Sequence, residues 1–204
     1  KGRSDIEIMA KVMSGNPKLK MVGPSHHPTK SHTLFGNFSR LSALIFFDAV
    51  YEFNKGNNFY SCMSVEFMRK SFYKSFLFPT KTVADQCYAY GQAIKNSTDG
   101  YQLVKNSGVI FGVAQTFHDW RVLSVRSTLG DKNDTIKHYG DSVLPLYTMP
   151  RKILIRSTLK WLLKSPVYSI GAVIMNLYIR LFPYNHKVEN GIWEMVDSSK
   201  ELYL

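Results

Sequence analysis

Asp48 is the residue whose chemistry contrasts most with its neighbours: it is the one acid before Glu52 in "FGNFSRLSALIFFDAVYEFN", residues 35–54, and sits between Phe47 and Ala49. A carboxylate held in an apolar wall has a raised pKa and can act as a general acid or base. Asp48 also falls on an i, i+4 series, Arg40, Leu44, Asp48 and Glu52, which reads as one narrow polar stripe turned to solvent or to a partner. Charged groups are almost never fully buried unless paired, and this weighs toward the stripe.

Three other groups of residues carry chemistry. His26, His27 and His32 in "GPSHHPTKSH" are metal-ligand types, but their spacing matches no zinc signature and no cysteine or acid stands near them, so they read as part of a solvated or RNA-contacting arm. His118 and Asp119 are adjacent, and neighbours in a strand point to opposite faces, which argues against an Asp-oriented base. In "PRKILIRSTLKWLLKSP" the cations Lys152, Arg156, Lys160 and Lys164 recur every fourth residue beside Trp161. Such a row suits a nucleic-acid phosphate backbone or an anionic lipid surface, or is simply the solvated face of an amphipathic helix. Between Arg151 and Val188 there are seven Lys and Arg and no acid, whereas solvated faces usually mix both signs. The whole chain repeats the bias, with 26 Lys and Arg against 15 Asp and Glu, a net charge of +11. That excess implies a polyanionic neighbour without choosing among RNA, membrane and phosphate-bearing ligand.

The elements that position these residues follow from periodicity. Ser4 or Asp5 caps a short amphipathic helix carrying Ile6, Met9, Val12 and Met13, which "SGNPK" stops. From Lys18 to His32, Gly23, Pro24 and Pro28 disrupt regular structure, and this stretch reads as an extended arm in which "KLKMV" is the one segment open to a short strand. Asn37 is a candidate cap for a buried helix from about Phe38 to Asn54. The period then shifts to 2 in "YSCMSVEFMR", "FPTKTVADQCYAYGQAIKN" and "YQLVKNSGVIFGVAQTFHDW", which predicts at least three antiparallel strands. After Pro150 a basic amphipathic helix over 151–164, with Ile155, Leu159, Leu162 and Leu163 opposite its cations, precedes a helix apolar nearly all round, "VYSIGAVIMNLYIRLFP", that must pack on the core, a partner or a membrane surface. "GIWEMVDSSKELYL" reads as a short helix or tail. No apolar run reaches the roughly 20 residues of a bilayer span, so the protein reads as soluble or peripheral. Cys62 and Cys87 read as buried free thiols of a reducing compartment, and no cofactor or metal is predicted.

A long apolar helix followed by antiparallel strands is the layout of hot-dog domains, and "HTLFGNFSRLSALIFFDA" with the downstream "YSCMSVEFMRKSFYKSFLFPTKTVADQCYAYGQ" resembles the thioesterase-like hot-dog proteins over about residues 18–126. His32, Asn37 and Leu41 match the family's residue types at the opening of its central helix, although Gly36 replaces an Asn and there is no acid between Glu7 and Asp48, where the family has an Asp just before the His. The resemblance implies an acyl-thioester site in which amides at the helix start near Asn37 hold the carbonyl oxygen, with His32 beside them and Asp48 assisting water. The fold expectation is therefore α+β: a hot-dog-like central helix wrapped by an antiparallel sheet over 34–149, an N-terminal helix and arm over 1–33, and a basic helical extension over 150–204. A cone fold of the nuclear-transport-factor type is the alternative. Two functions fit: a degenerate, non-catalytic subunit of a large assembly such as a mitochondrial ribonucleoprotein, contacting other subunits and RNA or an anionic membrane, or an acyl-CoA hydrolase or acyl-binding protein, homodimeric if active. Mitochondrial placement goes with the first, cytoplasmic otherwise.

Overall fold

The computed structural model of the chain describes residues 2–62, 66–80, 82, 84–125 and 131–182. They fall into two compact units, one drawn from 1–26, 50–109 and 133–149, the other from 27–49, 110–132 and 150 onward. In chain order the described helices are α1 (Gly2–Gly15), α2 (Leu34–Glu52), α3 (Lys70–Tyr73), α4 (Asp85–Ile94), α5 (Phe117–Val125), α6 (Asp131–Tyr139), α7 (Leu144–Tyr147), α8 (Arg151–Lys164) and α9 (Pro166–Leu181). The strands are β1 (Met21–Pro28), β2 (Phe67–Met68) and β3 (Tyr101–Phe111), in the sheet order β2-β1-β3. The class is α+β.

The predicted arm is the central strand. β1 pairs antiparallel with β2, Met21 opposite Met68 and Val22 opposite Phe67. It runs in the same direction as β3, since Lys20 N–H donates to Gly100 O at 2.9 Å and, further along both strands, Ser25 Oγ–H donates to Ser107 O at 2.6 Å. The glycine and prolines that argued against a strand are accommodated. Pro24 brings no N–H to the ladder, and the adjacent Ser25 hydroxyl supplies a donor to β3. At Gly23 an added Cβ would lie 2.4 Å from Tyr101 Oη, so only glycine lets the tyrosine ring cross the strand and donate to Ser61 O at 3.1 Å.

Of the three predicted antiparallel strands, Tyr101–Phe111 forms as a strand, parallel to β1; of the first, the strand residues among those described are the two of β2, and Asp85–Ile94 is helix α4. Its buried side chains, Cys87, Ala89, Tyr90, Gly91 and Ala93, recur at helical intervals, and a short apolar stretch is ambiguous between the two periods. Residues 117–120, predicted as the end of the third strand, instead open helix α5, begun by Thr116, whose Oγ1 accepts from Asp119 N–H at 3.1 Å. "GIWEMVDSSKELYL" lies outside the described residues.

In the first unit Met21, Phe59, Tyr90, Tyr101 and Tyr147 form an aromatic core with both thiols. Phe59 stacks on Tyr147 at a centroid distance of 4.6 Å, and Cys62 and Cys87 lie 3.8 Å apart as free cysteines. Nearby, Glu66 has a half-exposed stem, yet both its carboxylate oxygens are sealed from solvent with no hydrogen-bond partner among the described residues. Burial, then the proximity of Cys87 and Asp85, pushes its pKa well above the usual carboxylate range. In the second unit the buried face of α2, Leu41 and Ile45, packs with Ala172 of α9, and Ala114, Trp120 and Met175 form an adjoining cluster.

Candidate functional site

The 34–49 part of α2 is the platform on which α8 and α9 lie. Thr33, not Asn37, caps α2: Gly36 N–H donates to Thr33 Oγ1 at 2.9 Å. Asn37 stands one turn inside, and its side-chain amide donates to Ser31 O at 3.1 Å and Thr33 O at 2.9 Å. It thus fastens the entry to the helix with its own donors. His32 is exposed in the bend before α2. Asp48 sits more than three turns away, so the three residues that the resemblance would group are spread along the helix.

Asp48 has partners of its own. Its Oδ2 accepts from Lys160 Nζ at 2.6 Å and from Trp161 Nε1 at 2.7 Å, joining α2 to α8. Lys160 and Lys164 also flank the Trp161 ring, at 5.8 and 5.1 Å from its centroid. The Arg40, Asp48, Glu52 stripe therefore faces, at Asp48, a helix of the same chain. Leu44 of the same series packs against Leu154, Trp161 and Tyr168. A buried hydrogen bond from Ser157 Oγ to Ile45 O, 2.7 Å, completes the fastening.

This docking fixes which sides of α8 and α9 remain outside. On α8 the inward face is Ser157 with Leu154 and Trp161, not the leucines opposite the basic row that periodicity selected. Ile155, Leu159 and Leu163 are exposed, Leu163 at 87%. They stand one and three residues from Lys152, Arg156, Lys160 and Lys164, which are exposed as well, so an apolar row and a cationic row run side by side. On α9, Ser169, Ala172 and Met175 are buried, while Val167, Ile170, Ile174, Leu177 and Leu181 form an outer row spaced three or four residues apart. None of these five positions stands out in the sequence, because α9 is apolar nearly all round; its exposed side could be found only once Gly171 and Ala172 had marked the close-packed one.

Gly171 matters for a second reason. A Cβ there would come within 2.4 Å of the Phe38 ring, so glycine lets that ring lie against the helix. Phe38, Phe35 and Phe117 then form one wall, with Phe35 edge-on to Phe117 at 5.7 Å, and Ile170, Ile174 and Tyr178 the other, of an open groove of about 380 Å³ floored by Met175.

Of the other predicted residues, His26 is buried on β1, its ring nitrogen Nδ1 3.2 Å from Tyr51 Oη, while His27 is exposed. His118 lies in the first turn of α5 beside Asp119, and consecutive helix positions do not face each other. Among the described residues no three His, Cys, Asp or Glu side chains come together to hold a metal ion. Comparison of the chain with protein-family models, with curated proteins and with solved structures finds no match.

Proposed function

We propose that the protein is a non-catalytic binding protein that seats the α8–α9 helix pair on an anionic membrane surface. The observation that carries this reading is the joint exposure of aliphatic and cationic rows on α8, with no acid anywhere from Arg151 to Val188. Interfacial helices combine these two features, apolar side chains entering the acyl boundary and Lys or Arg meeting anionic headgroups. No helix among the described residues is long and apolar enough to cross a membrane. At 16 residues α9 measures about 24 Å, less than a bilayer core, and fits a helix lying in the interface.

The RNA-facing alternative has weaker support. Phosphates would satisfy Lys152, Arg156 and Lys164, but Ile155, Leu159, Leu163, Ile170 and Ile174 would have no counterpart on a nucleic-acid backbone, and single-strand binders offer aromatic platforms instead. The acyl-thioester hydrolase of hot-dog type fares no better. Asp48 is committed to Lys160 and Trp161, Asn37 offers its amide to backbone carbonyls, and His32 is far from Asp48 along the helix.

The test is sedimentation of the full chain with phosphatidylcholine vesicles containing or lacking phosphatidylglycerol. Wild type should co-sediment with the anionic vesicles and be released by salt. Lys152→Gln, Arg156→Gln and Lys164→Gln together should weaken binding by about 10²-fold, from about fivefold per cation. Leu159→Glu with Ile170→Glu should abolish it. Equal binding by both variants would reject the reading.

A further inference from the structure

The groove between Phe35, Phe38 and Phe117 on one side and α9 on the other is not needed to explain surface binding, and it is shaped for something narrower than a membrane. We infer that it takes up one acyl chain of an anionic phospholipid from the bilayer on which the helix pair rests; this deepens, and rests on, the membrane reading.

Three observations lead there. The groove's lining is carbon almost throughout, with Tyr178 the one wall residue bearing a polar tip, so it offers no hydrogen-bonding pattern for a polar metabolite or a peptide backbone. Its volume, about 380 Å³, is at the small end of ligand sites and suits a slender chain better than a sterol or a whole lipid. Its outer wall is continuous with the proposed membrane face, because Val167, Ile170 and Ile174 both line it and belong to the exposed row of α9. A chain leaving the bilayer would therefore pass from lipid to protein over apolar surface alone.

Charge complementarity places the lipid's other end. Arg121 holds its guanidinium 5.8 Å from the centroid of the ring of Phe117, which lines the groove. A cation beside that wall favours an anionic headgroup over a neutral one. The aromatic wall is held open by close packing: Phe117 is edge-on to Tyr178 at 5.1 Å, and the Phe38 ring occupies the space that a side chain at Gly171 would take.

The experiment uses phosphatidylglycerol carrying a photoactivatable group near the end of one acyl chain, mixed into phosphatidylcholine vesicles with the full chain, and maps the cross-linked peptides. Cross-links to the aromatic wall at Phe35, Phe38 or Phe117, lost in Phe35→Trp and in the independent groove-filling variant Phe117→Trp while both still co-sediment with vesicles, are the expected result. Cross-links confined to the outer rows of α8 and α9, unchanged by either tryptophan, would overturn the acyl-chain inference and leave the membrane reading intact. Failure of wild type to co-sediment would overturn the membrane reading and, with it, uptake from a bilayer. Saturable binding of a free fluorescent fatty acid, abolished by both tryptophans, would then show the groove to be a site for soluble acyl ligands instead.

Discussion

Two donors from neighbouring positions of α8, Lys160 and Trp161, converge on the same oxygen of Asp48, and this changes what removing the carboxylate should do. Lys160 is half-exposed, so its ion pair is screened and contributes about 0–1 kcal/mol, to which the indole hydrogen bond adds about 1 kcal/mol. Asp48→Ala should therefore lower the urea midpoint by the equivalent of about 1–2 kcal/mol, and Asp48→Asn, which keeps an acceptor for Trp161, should lose less. An unchanged midpoint would mean that the contact does not hold α8 in place. Glu66 makes the opposite kind of prediction. Its carboxyl is raised by burial, so the folded state holds its proton where the unfolded state has lost it, and stability falls as pH rises from the usual glutamate range toward the folded value. Glu66→Gln should match wild type near pH 4 and exceed it at neutral pH, as measured by thermal midpoints across that range. The sequence drew attention to Asp48 but not to its partners: Asp48 and Lys160 are more than a hundred residues apart in the chain, and an i, i+4 stripe does not reveal which helix will cover it. Glu66 gave no signal because its strand neighbours looked amphipathic.

At the scale of elements, helices were read well where apolar periodicity was long, as for α2, α8 and α9, and poorly where ten residues had to decide between periods, as for α4 and α5. Thr116 followed by Asp119 is a capping pattern that would have identified α5. Of β1 only the start, within "KLKMV", was open to a strand reading, because Gly23, Pro24 and Pro28 are local strand breakers, whereas the fold uses Gly23 to admit Tyr101 and Ser25 to bridge the position of Pro24. Gly23→Ala should accordingly destabilise the first unit by about 1–3 kcal/mol through overpacking against Tyr101, visible as a lower denaturant midpoint. Ser157→Ala, which removes the bond from α8 to Ile45 O, should cost about 1 kcal/mol by the same measurement. On α8 the buried face turned out to be the one carrying serine. Ile155, Leu159 and Leu163, which amphipathicity assigns to the core, stay outside because Ser157 and Trp161 have specific polar partners on α2 and orient the helix.

For the molecule as a whole, the charge and the apolar surface point to the same neighbour. A net charge of +11 by itself fits RNA, lipid or a phosphate ligand, and exposed aliphatic rows by themselves fit a protein partner or a bilayer; together, on helices without acids, they fit an anionic membrane surface. The most direct test is the immersion depth of the helix pair. Nitroxide labels placed singly at Leu159→Cys, Leu163→Cys, Ile170→Cys, Ile174→Cys and Leu177→Cys would be followed by their relative accessibility to oxygen and to a water-soluble nickel chelate. The account predicts that on phosphatidylglycerol-containing vesicles these labels gain oxygen access and lose nickel access relative to the protein in solution. Water-like accessibility at all five helix positions on vesicles that retain the protein would contradict it.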